Sequence, residues 1–189
     1  MTFPNRSFDK ISLYAEAYFE RLLAAGKSID GPSLDAAGNM LRNAYDQNAT
    51  VYVCGNGGSA SISNHLVCDH MKGVQTDTKI RPRVISLSSN IELITAIAND
   101  ISYDDVFVYQ LSTMAQSGDV LLTISSSGNS ENIVRAVKWA NINKQIVNFP
   151  DRGLSKCPQS TQFREMRPAM HCLVWQNCSR RQASGTSLT

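Results

Sequence analysis

The sequence lacks any apolar run close to the ~20 residues that a membrane-spanning helix requires. It also lacks a strong charge of either sign, because 18 Lys and Arg residues against 16 Asp and Glu residues leave a formal net charge of +2. So small a charge gives no electrostatic reason to expect nucleic acid or an anionic membrane as a partner. A secretory signal has a basic segment followed by an apolar one, and residues 1–9 contain no such sequence. We therefore expect a cytoplasmic protein with no nucleic-acid partner and no membrane partner.

The cysteines lack a functional pattern. There are five, an odd number, and no two of them form a Cys-x-x-Cys pair. Neither a disulfide framework nor a zinc ribbon is therefore indicated. Cys54 and Cys68 lie in apolar surroundings, so we predict both to be buried small hydrophobic residues, with a catalytic thiol as the less favoured alternative.

The sequence does contain two different patterns in the spacing of its apolar residues. Up to residue 48 they recur every three or four positions, which predicts two amphipathic helices separated at Gly31-Pro32-Ser33, with Ser33 as the N-cap of the second. From residue 50, short apolar runs alternate with helical stretches such as Glu131 to Asn141. The runs are Thr50–Cys54, Arg83–Ser88, Asp119–Ile124 and Gln145–Phe149. This alternation predicts an α/β fold, a three-layer sandwich with a central parallel sheet, preceded by the two N-terminal helices.

The length of the chain fits a single domain. Within it we distinguish an N-terminal helical pair at residues 1–48, an α/β core at residues 49–150 and an irregular C-terminal segment at residues 151–189. That segment contains Pro158 and Pro168 and no clean apolar strand. Its last residues, 179–189, have the polar composition of a disordered tail.

Two polar loops follow predicted strands, at the edge where open parallel sheets bind their ligands. The first, Gly55-Asn56-Gly57-Gly58-Ser59, offers backbone N–H groups at a helix N-terminus. The second offers four hydroxyl groups before the next helix, those of Ser125, Ser126, Ser127 and Ser130. Together they predict a phosphate site, with a solvated serine-rich turn as the alternative. Neither loop matches Gly-x4-Gly-Lys-Ser/Thr or Gly-x-Gly-x-x-Gly, so we expect no nucleotide cofactor.

The residues of these loops resemble the sugar isomerase (SIS) domain family. Gly55–Ser59, Ala98-Asn99-Asp100 and Ile124–Ser130 occur in the order and spacing of SIS domains, and within that family they are most similar to the phosphoheptose isomerases. The resemblance covers residues 10 to 150. It implies a flavodoxin-like strand order and a cytoplasmic homotetramer with sites between subunits. It also implies conversion of sedoheptulose 7-phosphate to D-glycero-D-manno-heptose 7-phosphate for lipopolysaccharide, capsule or surface-layer glycans.

The resemblance implies roles for residues at matching positions. The phosphate ligands would be Ser59, Ser125, Ser127 and Ser130, and the sugar would be lined by Asn56, Gly57, Asn99 and Asp100. His65 and Asp69 stand where the family has a histidine and a glutamate, four residues apart. Asp69 is the candidate base of an enediol mechanism, and His65 would orient it, shuttle a proton, or join it as a ligand to zinc, as in some family members. A helix-face histidine beside a solvated aspartate is the alternative.

The C-terminal segment departs from the family pattern. His171 is similar to the histidine that completes the family's site, but Phe163 stands where the family has glutamine eight residues earlier. Pro168 would also interrupt a continuous helix there. We therefore predict an altered C-terminal segment. A second function stays open, a non-catalytic SIS-type protein that binds a phosphosugar or a partner protein.

Overall fold

The central sheet has four parallel strands in the part of the chain that the structure describes. A computed structural model describes residue 4, residues 6–143 and residues 146–148. Its strands are β1 (Thr50–Gly55), β2 (Arg83–Ser86), β3 (Asp119–Ile124) and β4 (Ile146–Asn148). Their order is β2-β1-β3-β4, with every neighbouring pair parallel. The predicted parallel sheet and its flavodoxin-like order are confirmed.

Helices precede the sheet and connect its strands. They are α1 (Ile11–Lys27), α2 (Gly31–Asp46), α3 (Gly58–Cys68), α4 (Gln75–Asp77), α5 (Ile91–Asp100), α6 (Val106–Met114) and α7 (Glu131–Asn143). A π-helical segment, Asp69–Val74, joins α3 to α4, and a 3-10 turn, Tyr103–Asp105, precedes α6. The two predicted N-terminal helices are therefore present. Among the described residues, no helix has the length and apolar character needed to cross a membrane.

The predicted start of α2 is wrong by a few residues. Asp30, rather than Ser33, is the N-cap, and its carboxylate accepts a hydrogen bond from the Ser33 backbone N–H at 2.9 Å. Pro32 lies in the first turn, where a helix leaves its N–H groups without intrahelical partners and the missing proline N–H costs nothing. The Gly31-Pro32-Ser33 sequence thus begins the helix instead of interrupting the pattern.

Two apolar clusters cover the two faces of the sheet. Successive residues of a strand point to opposite faces, and β1 places Tyr52 and Cys54 in one cluster and Val51 and Val53 in the other. The first cluster is completed by α5, α6 and α7, and the second by α2 and α3. The predicted three-layer sandwich is confirmed.

Hydrogen bonds at both ends of β1 hold its position in the sheet. At its start, the buried carboxylate of Asp119 accepts from Thr50 N and Gln116 N, each at 2.7 Å. At its end, Ser88 Oγ accepts from Gly55 N at 3.0 Å and donates to Gly55 O at 2.8 Å. The carboxyl end of β1 is therefore tied to the loop that follows β2.

Several predictions concern residues 149–189, which lie outside the described residues. They are the irregular C-terminal segment, its disordered tail, the interruption at Pro168 and the role of His171. These stay predictions, as do the domain boundaries.

Candidate functional site

The first polar loop leads from β1 into α3 and depends on two glycines. Gly57 has φ +53°, in the left-handed region that side chains disfavour. At Gly55, an added Cβ would lie 2.7 Å from Ser59 Cβ and 2.8 Å from the carbonyl oxygen of Ile124. Only a residue without a side chain lets the ends of β1 and β3 and the first turn of α3 approach so closely. The loop is therefore shaped by backbone contact.

The second polar loop leads from β3 into α7. Gly128, with φ +69°, lies in its middle. Ser125 Oγ accepts a hydrogen bond from Gly128 N at 3.1 Å, and Ser127 Oγ accepts from Asn129 N at 3.2 Å. Because both oxygens already accept from the loop, their O–H groups are left to donate to a ligand.

The two loops border one cavity of about 100 Å³ at the carboxyl ends of β1 and β3. The first turns of α3 and α7 begin beside it, and a helix N-terminus carries positive potential and N–H groups that favour an anion. None of the lining residues is charged, so an anion there would be held by N–H and O–H donors. The lining residues are Asn56, Gly58, Ser59, Ile124, Ser125, Ser126 and Ser130.

The structure brings together most, but not all, of the residues predicted to bind substrate. Those that line the cavity are Asn56, Gly58, Ser59, Ser125, Ser126 and Ser130. Gly57 and Ser127 belong to the same loops but are exposed and do not line it. Asn99 and Asp100 lie at the end of α5, where Asn99 Nδ2 donates to Asp100 Oδ1 at 2.7 Å, and neither lines the cavity.

Asn56 is held by an amide pair that the sequence analysis missed. Asn56 Nδ2 donates to Asn132 Oδ1 at 2.8 Å, and Asn132 Nδ2 donates to Asn56 Oδ1 at 3.0 Å. Tyr103 Oη donates to the same Asn56 oxygen at 3.0 Å. Asn132 is only 2% exposed and shares a helix face with the buried Ala136 and Ala140. A polar residue on that apolar stripe was the signal that could have revealed it.

The turn that carries Tyr103 is attached to α7 by Arg135. Arg135 Nη1 donates to both carboxylate oxygens of Asp105, at 2.9 and 3.1 Å, and its Nε donates to Glu131 at 3.0 Å. Arg135 Nη2 lies 3.4 Å from Asp104. These carboxylates, Asp105 first, raise the pKa of Arg135 above its ordinary value. The Tyr103–Asp105 turn is thereby fixed beside the first loop.

The predicted reaction pair lies farther along α3. His65 Nε2 is 3.5 Å from Asp69 Oδ1, and the side chains are 66% and 28% exposed. Asp69 is the first residue of the π-helical segment, a kind of helix that often occurs at functional sites. The rise of an α-helix puts His65 about 9 Å along the axis from Ser59. The pair and the cavity are thus separated along one helix.

His70, the neighbour of Asp69 in sequence, takes no part in this pair. It is buried, its Nδ1 lies 2.8 Å from the carbonyl oxygen of Leu66, and its ring centre is 5.9 Å from that of Tyr45. His70 therefore belongs to the packing between α2 and the helix that follows the first loop.

The described residues do not complete a zinc site. Zinc sites use three or four protein ligands, and no group of three or more His, Cys, Asp or Glu residues placed to hold a metal occurs among the described residues. His65 and Asp69 would supply two donors. Zinc binding stays a prediction of the resemblance.

The prediction for the cysteines is right for one and wrong for the other. Cys54 is fully buried, and burial raises the pKa of its thiol from 9.0 to about 12. Cys68, at the end of α3, is exposed, because none of the described residues covers that side of the helix. Cys54 is therefore a packing residue of the sheet.

Comparison with known sequences identifies the family. Residues 14–147 match the family model of the SIS domain. The chain is 41% identical to a phosphoheptose isomerase of Colwellia psychrerythraea over 116 residues, which are 61% of this chain and 59% of the relative. It is 38% identical to one of Clostridium acetobutylicum over 121 residues, 64% and 60% of the two chains. It is 33% identical to a phosphoheptose isomerase of Thiobacillus denitrificans over 148 residues, which are 77% of this chain and 73% of the relative. The chain thus spans about three fifths of the length of the first two relatives.

Solved structures agree on the fold. The structure resembles the phosphoheptose isomerase of Neisseria gonorrhoeae with a TM-score of 0.71 and 22% identity, over 90% of this chain and 100% of the other. It resembles a phosphoheptose isomerase of Francisella tularensis with the same TM-score and identity, over 92% of this chain and 96% of the other. With its family match and its relatives at 33–41% identity, the chain belongs to the SIS domain family and, by sequence similarity, to its phosphoheptose isomerase group.

Proposed function

We propose that the protein is a phosphosugar aldose–ketose isomerase that converts sedoheptulose 7-phosphate to D-glycero-D-manno-heptose 7-phosphate. The observation that carries this proposal is the uncharged cavity between two helix N-termini, bordered by hydroxyl and N–H groups. The sequence similarity to phosphoheptose isomerases supports the choice of substrate.

The phosphate group would occupy the cavity between the two loops. The backbone N–H group of Gly58 and the hydroxyl groups of Ser59, Ser125 and Ser130 would donate to its oxygens, while the Ser59 N–H donates to the carbonyl oxygen of Asn56 at 2.9 Å. The positive ends of two helices would offset its charge without a lysine or arginine. Gly57, Ser126, Ser127, Asn99 and Asp100 are proposed as further contacts of the sugar phosphate.

Isomerisation would use the carboxylate of Asp69 as a base. It would remove a proton from C1 of the open-chain ketose, and the electron pair would form the enediol as the C2 carbonyl oxygen takes up a proton. Return of a proton to C2, and loss of one from the C1 hydroxyl, would give the aldose. His65 would orient the carboxylate or carry the proton to and from oxygen, since an imidazole changes charge near neutral pH. Protons and electrons balance without a redox partner.

We further infer a homotetramer in the cytoplasm. In support, Ala25 is the one α1 residue that the described part of the chain buries, whereas Ile11, Phe19 and Leu23 are 82%, 64% and 61% exposed. A helix face of this kind suits contact with another copy. A place in lipopolysaccharide or capsule synthesis, and zinc held by His65 and Asp69, rest on the resemblance alone.

A second function is favoured by the separation between the cavity and the reaction pair. Neither His65 nor Asp69 lines the cavity, and His65 is two-thirds exposed. A chain that binds a sugar phosphate without converting it would keep the two loops and would not need the pair. The alternative is therefore a non-catalytic SIS-type protein that binds a phosphosugar or a partner.

One experiment separates these functions. Purified protein is incubated with sedoheptulose 7-phosphate, with and without zinc, and aldose formation is followed by NMR while binding is measured by calorimetry. We expect turnover in the wild type and in Asp35→Asn, an exposed carboxylate of α2 that serves as the matched control. Binding without turnover under both metal conditions supports the non-catalytic function. Absence of binding contradicts both.

A further inference from the structure

The hydrogen-bond network around Asn56 has one possible direction, set by a backbone N–H group. Ile133 N donates both to the carbonyl oxygen of Ser130 at 3.0 Å and to the Asn132 side chain at 2.9 Å. Because two N–H donors would repel each other at 2.9 Å, the Asn132 atom that faces Ile133 N must be the amide oxygen. The other amide atom of Asn132 is then a nitrogen, and the Asn56 atom 3.0 Å from it must be an oxygen. Tyr103 Oη, at 3.0 Å from that oxygen, must therefore donate as well.

This direction determines what Asn56 can offer to a ligand. Its Oδ1 accepts from both Asn132 and Tyr103, which fills its two acceptor positions. Its Nδ2 gives one hydrogen to Asn132 and keeps the other. Ser125 Oγ, across the cavity, likewise accepts from its own loop. The polar groups that border the cavity are thus left mainly with hydrogens to donate, which suits a phosphate dianion because its oxygens only accept.

We propose that Asn132 is the positioning residue of the phosphate site. It connects the first loop to α7 across 76 residues of sequence and holds Asn56 in the orientation that presents donors to the cavity. Tyr103, fixed by the turn that Arg135 holds, completes this orientation from the other side. The inference rests on the proposed function, since it requires a phosphate-bearing ligand.

Two substitutions test the network from its buried and its exposed side. Asn132→Ser keeps a hydroxyl that can accept from Ile133 N, but its side chain is too short to reach Asn56. Tyr103→Phe removes one donor from Asn56 Oδ1 at a residue that is 53% exposed, where loss of a hydroxyl does not threaten folding. Asn143→Ser, an exposed asparagine at the other end of α7, is the matched control.

The measurement is the dissociation constant of inorganic phosphate and of sedoheptulose 7-phosphate by calorimetry, below the thermal midpoint of each variant. We expect Asn132→Ser to weaken both ligands about tenfold and Tyr103→Phe about threefold, within the range for one or two hydrogen bonds. The Asn143→Ser control should stay within about twofold of the wild type. In turnover, Asn132→Ser should raise KM and leave kcat within about twofold, because Asn132 makes no contact with His65 or Asp69. If Asn132 only stabilised the start of α7, Asn132→Ser would leave phosphate binding unchanged.

The outcomes decide between the inference and the proposed function. Wild-type phosphate affinity in both variants overturns the inference alone. If Asn132→Ser does not fold, Tyr103→Phe decides, and unchanged affinity in that variant overturns the inference. A wild type that binds neither probe overturns the inference and the proposed function together. A wild type that binds both probes without turnover overturns only the catalytic proposal, and the affinities of the variants still test the inference.

Discussion

His65 Nε2 lies 3.5 Å from Asp69 Oδ1, at the point where α3 gives way to a π-helical segment. The imidazole is mostly exposed, whereas the carboxylate is mostly covered. Asp69 therefore has a defined neighbour on one side and limited contact with water, as a base that acts on carbon requires. The proposed chemistry can be tested at this pair.

We expect Asp69→Asn to lower kcat at least about 100-fold, because an amide cannot take up the proton from C1. Asp69→Glu keeps the carboxylate and should retain measurable turnover. Both are measured with sedoheptulose 7-phosphate by NMR, with phosphate binding as the control for folding. An Asp69→Asn variant with wild-type kcat would remove Asp69 from the role of base.

Replacing Gly55 by alanine should destabilise the fold by about 2 kcal/mol, a typical cost of overpacking. The new Cβ would lie 2.7 Å from Ser59 and 2.8 Å from the Ile124 carbonyl oxygen. Urea unfolding followed by circular dichroism measures the change. Gly26→Ala is the control, since no atom of the described residues lies within 4 Å of a Cβ there, and helix propensity predicts a gain of about 0.5–1 kcal/mol. Equal effects of the two substitutions would contradict the close contact at Gly55.

Cys54 should make the protein less stable at alkaline pH. Burial raises the pKa of its thiol from 9.0 to about 12, so between these values the unfolded chain loses the proton while the folded chain keeps it. The contribution is fully present below pH 9.0 and is lost as pH rises towards 12, with a slope of about 1.4 kcal/mol per pH unit. Cys54→Ala should flatten that slope in urea unfolding.

The burial of Cys54 predicts that an alkylating reagent distinguishes it from Cys68. Iodoacetamide at pH 8 should modify Cys68, which is exposed, and leave Cys54 unmodified until the protein unfolds. Peptide mass spectrometry distinguishes the two sites. Rapid modification of Cys54 in the native protein would contradict the burial of its side chain against one face of the sheet.

Arg135→Gln should loosen the turn that carries Tyr103 and lower the thermal midpoint at low salt. The ion pairs that it removes are partly exposed, so 1 M NaCl should shrink the difference from the wild type. Lys138→Gln, an exposed residue of the same helix, serves as the control and should show little change. A difference of the same size at both salt concentrations would argue against an electrostatic origin.

Charged residues on α1 should break the proposed contact between copies. Phe19→Glu with Leu23→Glu should yield a smaller species in light scattering after gel filtration, because the apolar side chains would no longer pack together. Lys27→Glu, exposed at the end of the same helix, should leave the mass unchanged. A monomeric wild type would contradict the proposed homotetramer.

Local patterns in the sequence were sufficient for the architecture and for part of the site. Short continuous apolar runs fit strands of a sheet covered on both faces, so their alternation with helices predicted the three layers. Glycine and serine at the strand ends predicted the two loops, because open parallel sheets bind ligands at that edge. A spacing of four residues put His65 and Asp69 in contact, since helix geometry alone brings such residues together.

Tertiary structure decided the rest. The strand β2 ends at Ser86 rather than Ser88, because Ser86 Oγ accepts from Ser88 N at 3.2 Å and local side-chain bonds of this kind compete with a sheet ladder. Cys68 is exposed because its burial depends on what packs against α3 and not on its apolar neighbours in sequence. The amide pair of Asn56 and Asn132 joins residues 76 positions apart. Their meeting follows from the register of β1 beside β3, which places the two loops face to face, and no local propensity in either loop could have specified it.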